Sequence, residues 1–163
     1  MKTVFGVLLV AAVAAATSVP AQAAEAEDKA MIERLGADFA AAWNAHDAKR
    51  MAAVFAEDGD LINPFGQKAR GRGDIEKFFA GEQAGPMKGT TYTIESTFFR
   101  ELDPTCAISD WEGVVSGMMD PSGKAMPPFR HHVFGVYVKK GGHWHATALR
   151  GFGFEAAPGA PAK

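Results

Sequence analysis

Cysteine is almost missing from this chain. Cys106 is the single one among 163 residues, which excludes an intramolecular disulfide and leaves stability to packing. Its apolar, β-prone neighbourhood reads as that of an ordinary buried thiol. A surplus of either charge is missing too. With 17 basic residues against 19 acidic ones, the chain has no electrostatic reason to bind nucleic acid or an anionic membrane surface. No apolar run reaches the ~20 residues of a bilayer-spanning helix. The longest, Val4 to Ala16, follows Lys2 and precedes Pro20 and Ala21-Gln22-Ala23, the build of a cleavable secretory signal. Residues 1–23 are therefore set aside as a signal peptide, and the mature chain is expected in the periplasm or outside the cell. Internal repeats are absent, and the glycines around Arg72-Gly73-Asp74 fail the spacing of a phosphate loop, leaving that adhesion-like triplet as chance.

What remains suits one domain with a real core, residues 24–154, followed by a tail of Ala, Pro and Gly from Glu155 that has nothing to bury and reads as disordered. Glu25, Glu27 and Asp28 crowd the expected start of a first helix, at the positive end of its dipole. Met31, Ile32, Leu35, Phe39, Ala42 and Trp43 give it one apolar face. The corner Asn44 to Asp47 is tight, and Asp47 is suited to cap a second helix that buries Met51, Val54 and Phe55. A strand is expected from Asp60 to Asn63, and Pro64 argues for an edge or a bulge because it cannot donate a ladder bond. Ile75, Phe78 and Phe79 mark the buried side of a third helix opening at Gly73-Asp74.

From Gly89 onward the period changes to two. Thr90 to Leu102, Cys106 to Met118, Phe129 to Lys140 and His143 to Phe154 read as four strands in an antiparallel meander. Gly141-Gly142 fits a primed two-residue hairpin turn and sets the register. Closing it at Lys140 and His143 places Lys139 opposite Trp144, Tyr137 opposite Ala146, Gly135 opposite Ala148 and Val133 opposite Arg150. Strict alternation then puts His131, Tyr137, Trp144 and Arg150 on one face. Neither face of this hairpin is polar throughout. Three helices cover only one side of a sheet, so the other side is a candidate homodimer interface.

The chain resembles the SnoaL-like and SgcJ/EcaC-type families of the nuclear transport factor 2-like superfamily. The likeness rests on Ala42-Trp43-Asn44-Ala45-His46-Asp47, on Phe55-Ala56-Glu57-Asp58 leading to Asn63 and Gly71-Arg72-Gly73, on Asp120-Pro121-Ser122-Gly123 with Pro127-Pro128, and on Gly142-His143-Trp144. It implies an α+β fold shaped like a cone, with three N-terminal helices packed in a curved, mostly antiparallel sheet, a deep apolar pocket and frequent dimerisation. The superfamily mixes isomerases, dehydratases, cyclases and proteins without chemistry, so fold does not select the activity.

If Trp144 faces the helices, His131 and Arg150 are diagonal neighbours with Cβ atoms within roughly 7 Å, close enough to share a ligand. A buried Arg needs an anion or carbonyl to hold. Asp110 and Glu112 alternate with Trp111, so a buried Trp111 sends both to the outer face, toward Arg130 or His132. An inward Asp110 is instead a general base beside His131. Trp43, Phe65, Trp111 and Tyr137 suit a flat apolar ligand, and Asn63 either orients a ligand carbonyl or satisfies a strand-end backbone group. The histidines do not group for a metal: His131 and His132 face opposite ways, and His143 with His145 makes only two ligands.

Three functions follow. One is a binding protein in which Arg150 and His131 grip an apolar molecule bearing an anionic or carbonyl group, with no cofactor. A second is an acid–base enzyme, of isomerase, dehydratase or cyclase type, acting on a small carbonyl or polycyclic compound. The third is a dimerisation module whose pocket is filled by its own aromatics.

Overall fold

A computed structural model describes residues 21–153. Most of the expected signal peptide and the tail from Glu155 lie outside the described residues. Helix α1 (Ala21–Asn44) is followed by α2 (Ala48–Ala53), strands β1 (Phe55–Ile62) and β2 (Lys68–Arg70), helix α3 (Arg72–Ala84) and strands β3 (Thr91–Asp103), β4 (Cys106–Ser116), β5 (Phe129–Lys140) and β6 (His143–Gly153). The six strands form one sheet in the order β2-β1-β6-β5-β4-β3. All pairs are antiparallel except β1 with β6.

The corner after α1 is built as the residues suggest. His46 N–H donates to Trp43 O at 2.9 Å and Asp47 N–H to Ala42 O at 2.9 Å, the paired bonds of a Schellman end. His46 takes the left-handed conformation there, at φ 55°. Asp47 then accepts from the Arg50 backbone and caps α2. Three expectations shift. Within the described residues Glu25, Glu27 and Asp28 fall inside α1 rather than in its first turn. Helix α2 ends at Ala53, and Phe55 opens β1 instead of lying on the helix. Of the edge and the bulge expected of the Asp60–Asn63 strand, the edge is not found: β1 is interior, between β2 and β6, its pairing with β6 is irregular between Phe55 and Asp60, and Pro64 falls beyond its end and removes no ladder bond.

The sheet buries one face against the helices. Phe55, Ile32, Met51 and Ile75 are fully buried in this core, with Trp43, Phe79 and Trp111 nearly so. Asp28 is buried too, only 5% exposed. It accepts from Lys139 Nζ at 2.6 Å and from Trp144 Nε1 at 2.9 Å, so the helix acid expected to serve the dipole instead ties α1 to the β5–β6 hairpin. Cys106, expected buried, is half-buried at the start of β4.

The hairpin turns through Gly141 (φ 59°) and Gly142 (φ 81°), both in the region that favours glycine. Lys140 pairs with His143, Lys139 with Trp144 and Tyr137 with Ala146, as expected. Beyond that the register slides: Val136 pairs with Ala148, Gly135 with Leu149, Phe134 with Arg150 and Val133 with Gly151. Thr147 is the extra residue of a β-bulge, and one unpaired residue reverses which side chains face the helices. Leu149 and Gly151 therefore turn inward. Ala148, Arg150 and Phe152, expected inside, turn outward.

Candidate functional site

Between the helices and the concave face of the sheet lies a cavity of about 110 Å³, lined by residues of α1, α3 and all the longer strands. Its walls are overwhelmingly apolar. Glycines bring the aromatic walls together. A Cβ at Gly36 of α1 would lie 2.5 Å from Cζ3 of Trp111, and one at Gly113 of β4 would lie 2.3 Å from Oη of Tyr92 and 2.7 Å from the His131 ring. The bare backbone at these two points lets Trp111 rest against α1 and lets Tyr92 reach His131.

His131, Trp43, Trp111, Tyr137, Phe65 and Asn63 all line this cavity, but most of their polar groups are already engaged. Trp111 Nε1 donates to Tyr137 Oη at 2.9 Å, and Trp43 Nε1 donates to Thr90 Oγ1 at 3.1 Å. The Asn63 side-chain oxygen accepts from the backbones of Phe65 and Gln67, at 3.0 and 2.9 Å, and its nitrogen donates to Gln67 Oε1. Asn63 thus closes the turn after β1, the second of the two roles open to it. Phe65 stands at the mouth, 57% exposed.

A column of stacked rings runs inward from that mouth. Phe65 stacks on Phe129 with centroids 5.2 Å apart, Phe129 on His131 at 5.5 Å, and His131 on Tyr92 at 5.5 Å. Within it the Tyr92 hydroxyl and His131 Nε2 are 3.1 Å apart and share one proton, phenol to imidazole or imidazole to phenol. Burial pulls the His131 imidazole down to about 4. The Phe129 carbonyl works against this without making a regular hydrogen bond to Nδ1. Burial likewise pushes the Tyr92 and Tyr137 phenols up. At neutral pH this wall is therefore uncharged.

Two expected site residues lie elsewhere. Arg150, carried outward by the bulge, forms an ion pair with Asp60 and is not among the lining residues. Asp110 also faces outward, because Trp111 is buried at 3% exposure, and its carboxylate stands 3.4 Å from His132 Nε2. The structure thus separates His131 from both partners proposed for it. Among the described residues no three His, Cys, Asp or Glu side chains come together as metal ligands, and no helix is long and apolar enough to cross a membrane.

Two ionisable lining residues escaped the sequence reading: Tyr92, at one of the alternating positions of β3, and Glu82. Glu82 of α3 faces the cavity, half-buried, and burial raises its carboxyl above the usual range. Its signal was present: it falls seven residues after Ile75, four after Phe78 and three after Phe79, on the apolar stripe of the helix.

The model of the SnoaL-like domain matches residues 37–146, well over half of the chain. A search of curated proteins returns no match. Among solved structures, a Nostoc punctiforme domain of unknown function with a cystatin-like fold superposes with TM-score 0.72 at 21% identity, covering 81% of this chain and 80% of that one. A Novosphingobium aromaticivorans protein assigned as a scytalone dehydratase gives 0.70 at 18%, covering 82% and 89%. A hexachlorocyclohexane dehydrochlorinase, LinA type 2, gives 0.72 at 14%, covering 86% and 100%. At these identities the structural likeness establishes the fold, helices packed against an open curved sheet of the nuclear transport factor 2-like, cystatin-like kind.

Proposed function

The chain belongs to the SnoaL-like domain family, and we propose that it binds one small, uncharged, largely apolar group in its cavity, meeting a carbonyl or hydroxyl through the Tyr92–His131 pair. The observation that carries this reading is the charge of the lining. Among the described residues no Lys or Arg reaches the cavity, and His131, with its pKa near 4, brings no positive charge at neutral pH. An anion buried there would go uncompensated. The anionic group expected beside an inward Arg150 is thereby replaced, within the cavity, by a neutral one. Size narrows it further: about 110 Å³ is less than the ~150 Å³ cavity that takes benzene, so the limit is a single small ring and a polycyclic body does not fit inside the cavity alone.

Thermal denaturation with phenol and with benzoate tests this. Phenol should raise Tm in a concentration-dependent way while benzoate does not. Stabilisation by benzoate alone would refute the reading, and stabilisation by neither would favour a pocket filled by its own aromatics.

One observation favours acid–base chemistry as a second reading. A buried imidazole that stays unprotonated at neutral pH, next to a phenol, can take up a proton from a bound substrate. His131→Gln would then abolish turnover of a substrate while leaving its binding within a few fold.

Export is proposed with this function on the strength of the Lys2, Val4–Ala16 and Ala21-Gln22-Ala23 pattern; N-terminal sequencing of the protein from the periplasm should begin at Ala24. A homodimer through the outer sheet face is proposed as well, because Ile108, Phe134, Val136 and Val138 leave that face partly apolar and no helix among the described residues covers it.

A further inference from the structure

The cavity does not end at its mouth. Phe65, Glu82 and Met87 line it and also line an adjoining groove of about 440 Å³, which continues over Met118, Met119 and Met126. Met119 is 61% exposed and Met126 45%. Clustered exposed apolar side chains of this kind mark a binding surface, and methionine, unbranched and polarisable, moulds to ligands of varied shape.

Charge separates this groove from a generic apolar patch. Neither cavity nor groove is lined by a Lys or Arg among the described residues, whereas two carboxylates are present, Glu82 at the junction and Asp120 on the groove wall. Asp120 is engaged, accepting from Ser122 and the Lys124 backbone, and these bonds hold its carboxyl below the usual range. The Glu82 carboxylate receives no hydrogen bond and no ion pair from any described residue. A half-buried acid left without a donor, on the apolar stripe of a helix and lining both apolar spaces, is complementary to a donor that arrives with a ligand.

Building on the cavity reading above, we propose that the ligand is an elongated apolar amine: its ring or chain end fills the cavity, its ammonium meets the Glu82 carboxylate where the two spaces adjoin, and the rest lies along the methionine groove. The same arrangement disfavours carboxylated ligands, which would bring like charge to Glu82 and Asp120.

Isothermal titration of the mature protein at pH 7 with 4-phenylbutylamine, 4-phenylbutanol and 4-phenylbutyrate tests this, with toluene as a probe small enough for the cavity alone. The amine is expected to bind about tenfold more tightly than the alcohol, as one charge-assisted hydrogen bond supplies, and the butyrate more weakly than either. Glu82→Gln should make amine and alcohol equal. Met119→Ser, on the exposed groove wall, should weaken the amine several-fold. Equal binding of amine and alcohol by the wild-type protein, or a preference that survives Glu82→Gln, would overturn the inference. Toluene separates the two readings: toluene binding without an amine preference sinks the role of Glu82 and leaves the cavity reading standing, whereas an amine that binds through Glu82 while toluene fails sinks the cavity reading.

Discussion

Asn44, the last residue of α1, and Tyr92, near the start of β3, exchange two hydrogen bonds. The Asn44 side chain donates to Tyr92 O at 3.0 Å and accepts from Tyr92 N at 2.7 Å. Both bonds are made by one amide at the point where the helix stops, so the phenol that meets His131 is positioned by the same corner that turns the chain into α2. Replacing Asn44 by Ala leaves a part-buried backbone N–H and C=O unpaired, which costs about 1–3 kcal/mol. Urea unfolding should show a lower midpoint with an unchanged m-value.

The imidazole of His131 makes stability depend on pH with a defined sign. Its folded pKa, near 4, is lowered from 6.5, so between these values the unfolded chain binds the extra proton and acid favours unfolding. The folded state is fully favoured above about pH 6.5 and loses ground as pH falls toward 4. Between pH 7.5 and 5 this amounts to roughly 2 kcal/mol. Wild type should lose that much more than His131→Gln over the same interval; parallel pH curves for the two proteins would contradict the assignment.

Gly113 faces the Tyr92–His131 pair so closely that a methyl group has no room. With a Cβ 2.3 Å from the Tyr92 hydroxyl and 2.7 Å from the His131 ring, Gly113→Ala must separate them. Overpacking of this kind costs about 1–3 kcal/mol. The NMR signature is specific: the His131 ring resonances should shift, whereas those of His143, exposed in the β5–β6 hairpin, should not.

Asp28 is enclosed between Lys139 and Trp144. Burial alone would raise its carboxyl, but the hydrogen bonds from Lys139 and Trp144 and the Lys139 charge outweigh it and hold the carboxyl below the usual range. Its contribution is therefore present above the unfolded carboxyl pKa of about 3.9 and is lost as pH falls through the lower folded value. Asp28→Ala should destabilise by roughly 2–4 kcal/mol, since it strands the Lys139 ammonium and the Trp144 indole N–H. Asp28→Asn keeps an acceptor and should cost less. Thermal melts at pH 7 decide the order.

The proposed pairing of outer faces predicts a dimer in sedimentation at micromolar concentration. Val136→Arg, in the middle of that face, should yield monomers that keep their far-UV circular dichroism. A wild-type monomer would refute the interface.

Much of this architecture is written locally and was therefore legible. Paired glycines at 141 and 142 announce their turn, Asp47 announces its cap, and the burial of Trp111 decides the outward direction of Asp110 by alternation alone. The parts that escaped depend on contacts distant in sequence. The parallel pairing of β1 with β6 joins residues about ninety positions apart, and no local pattern encodes it. Thr147 carries no bulge signal, being as suited to a regular strand as any β-branched residue, and this one residue displaced Arg150 from the inner face. Asp28 resembled a helix-dipole acid until its partners across the fold were seen. Glu82 shares the spacing of the apolar stripe of α3, but a carboxylate at such a position reads as readily as a solvated helix residue, and only the cavity gives it a role.

The irregularity at Thr147 also gives β6 a spare link. Elsewhere in a strand, losing one residue inverts every side chain beyond the cut. Removing Thr147 instead lets Ala146 and Ala148 follow one another opposite Tyr137 and Val136, partners they already have, with Leu149 still inside and Arg150 still outside. Length variation among related proteins should therefore be tolerated at this position and punished at its neighbours, so that a strand ordinarily intolerant of shortening holds one residue it can surrender.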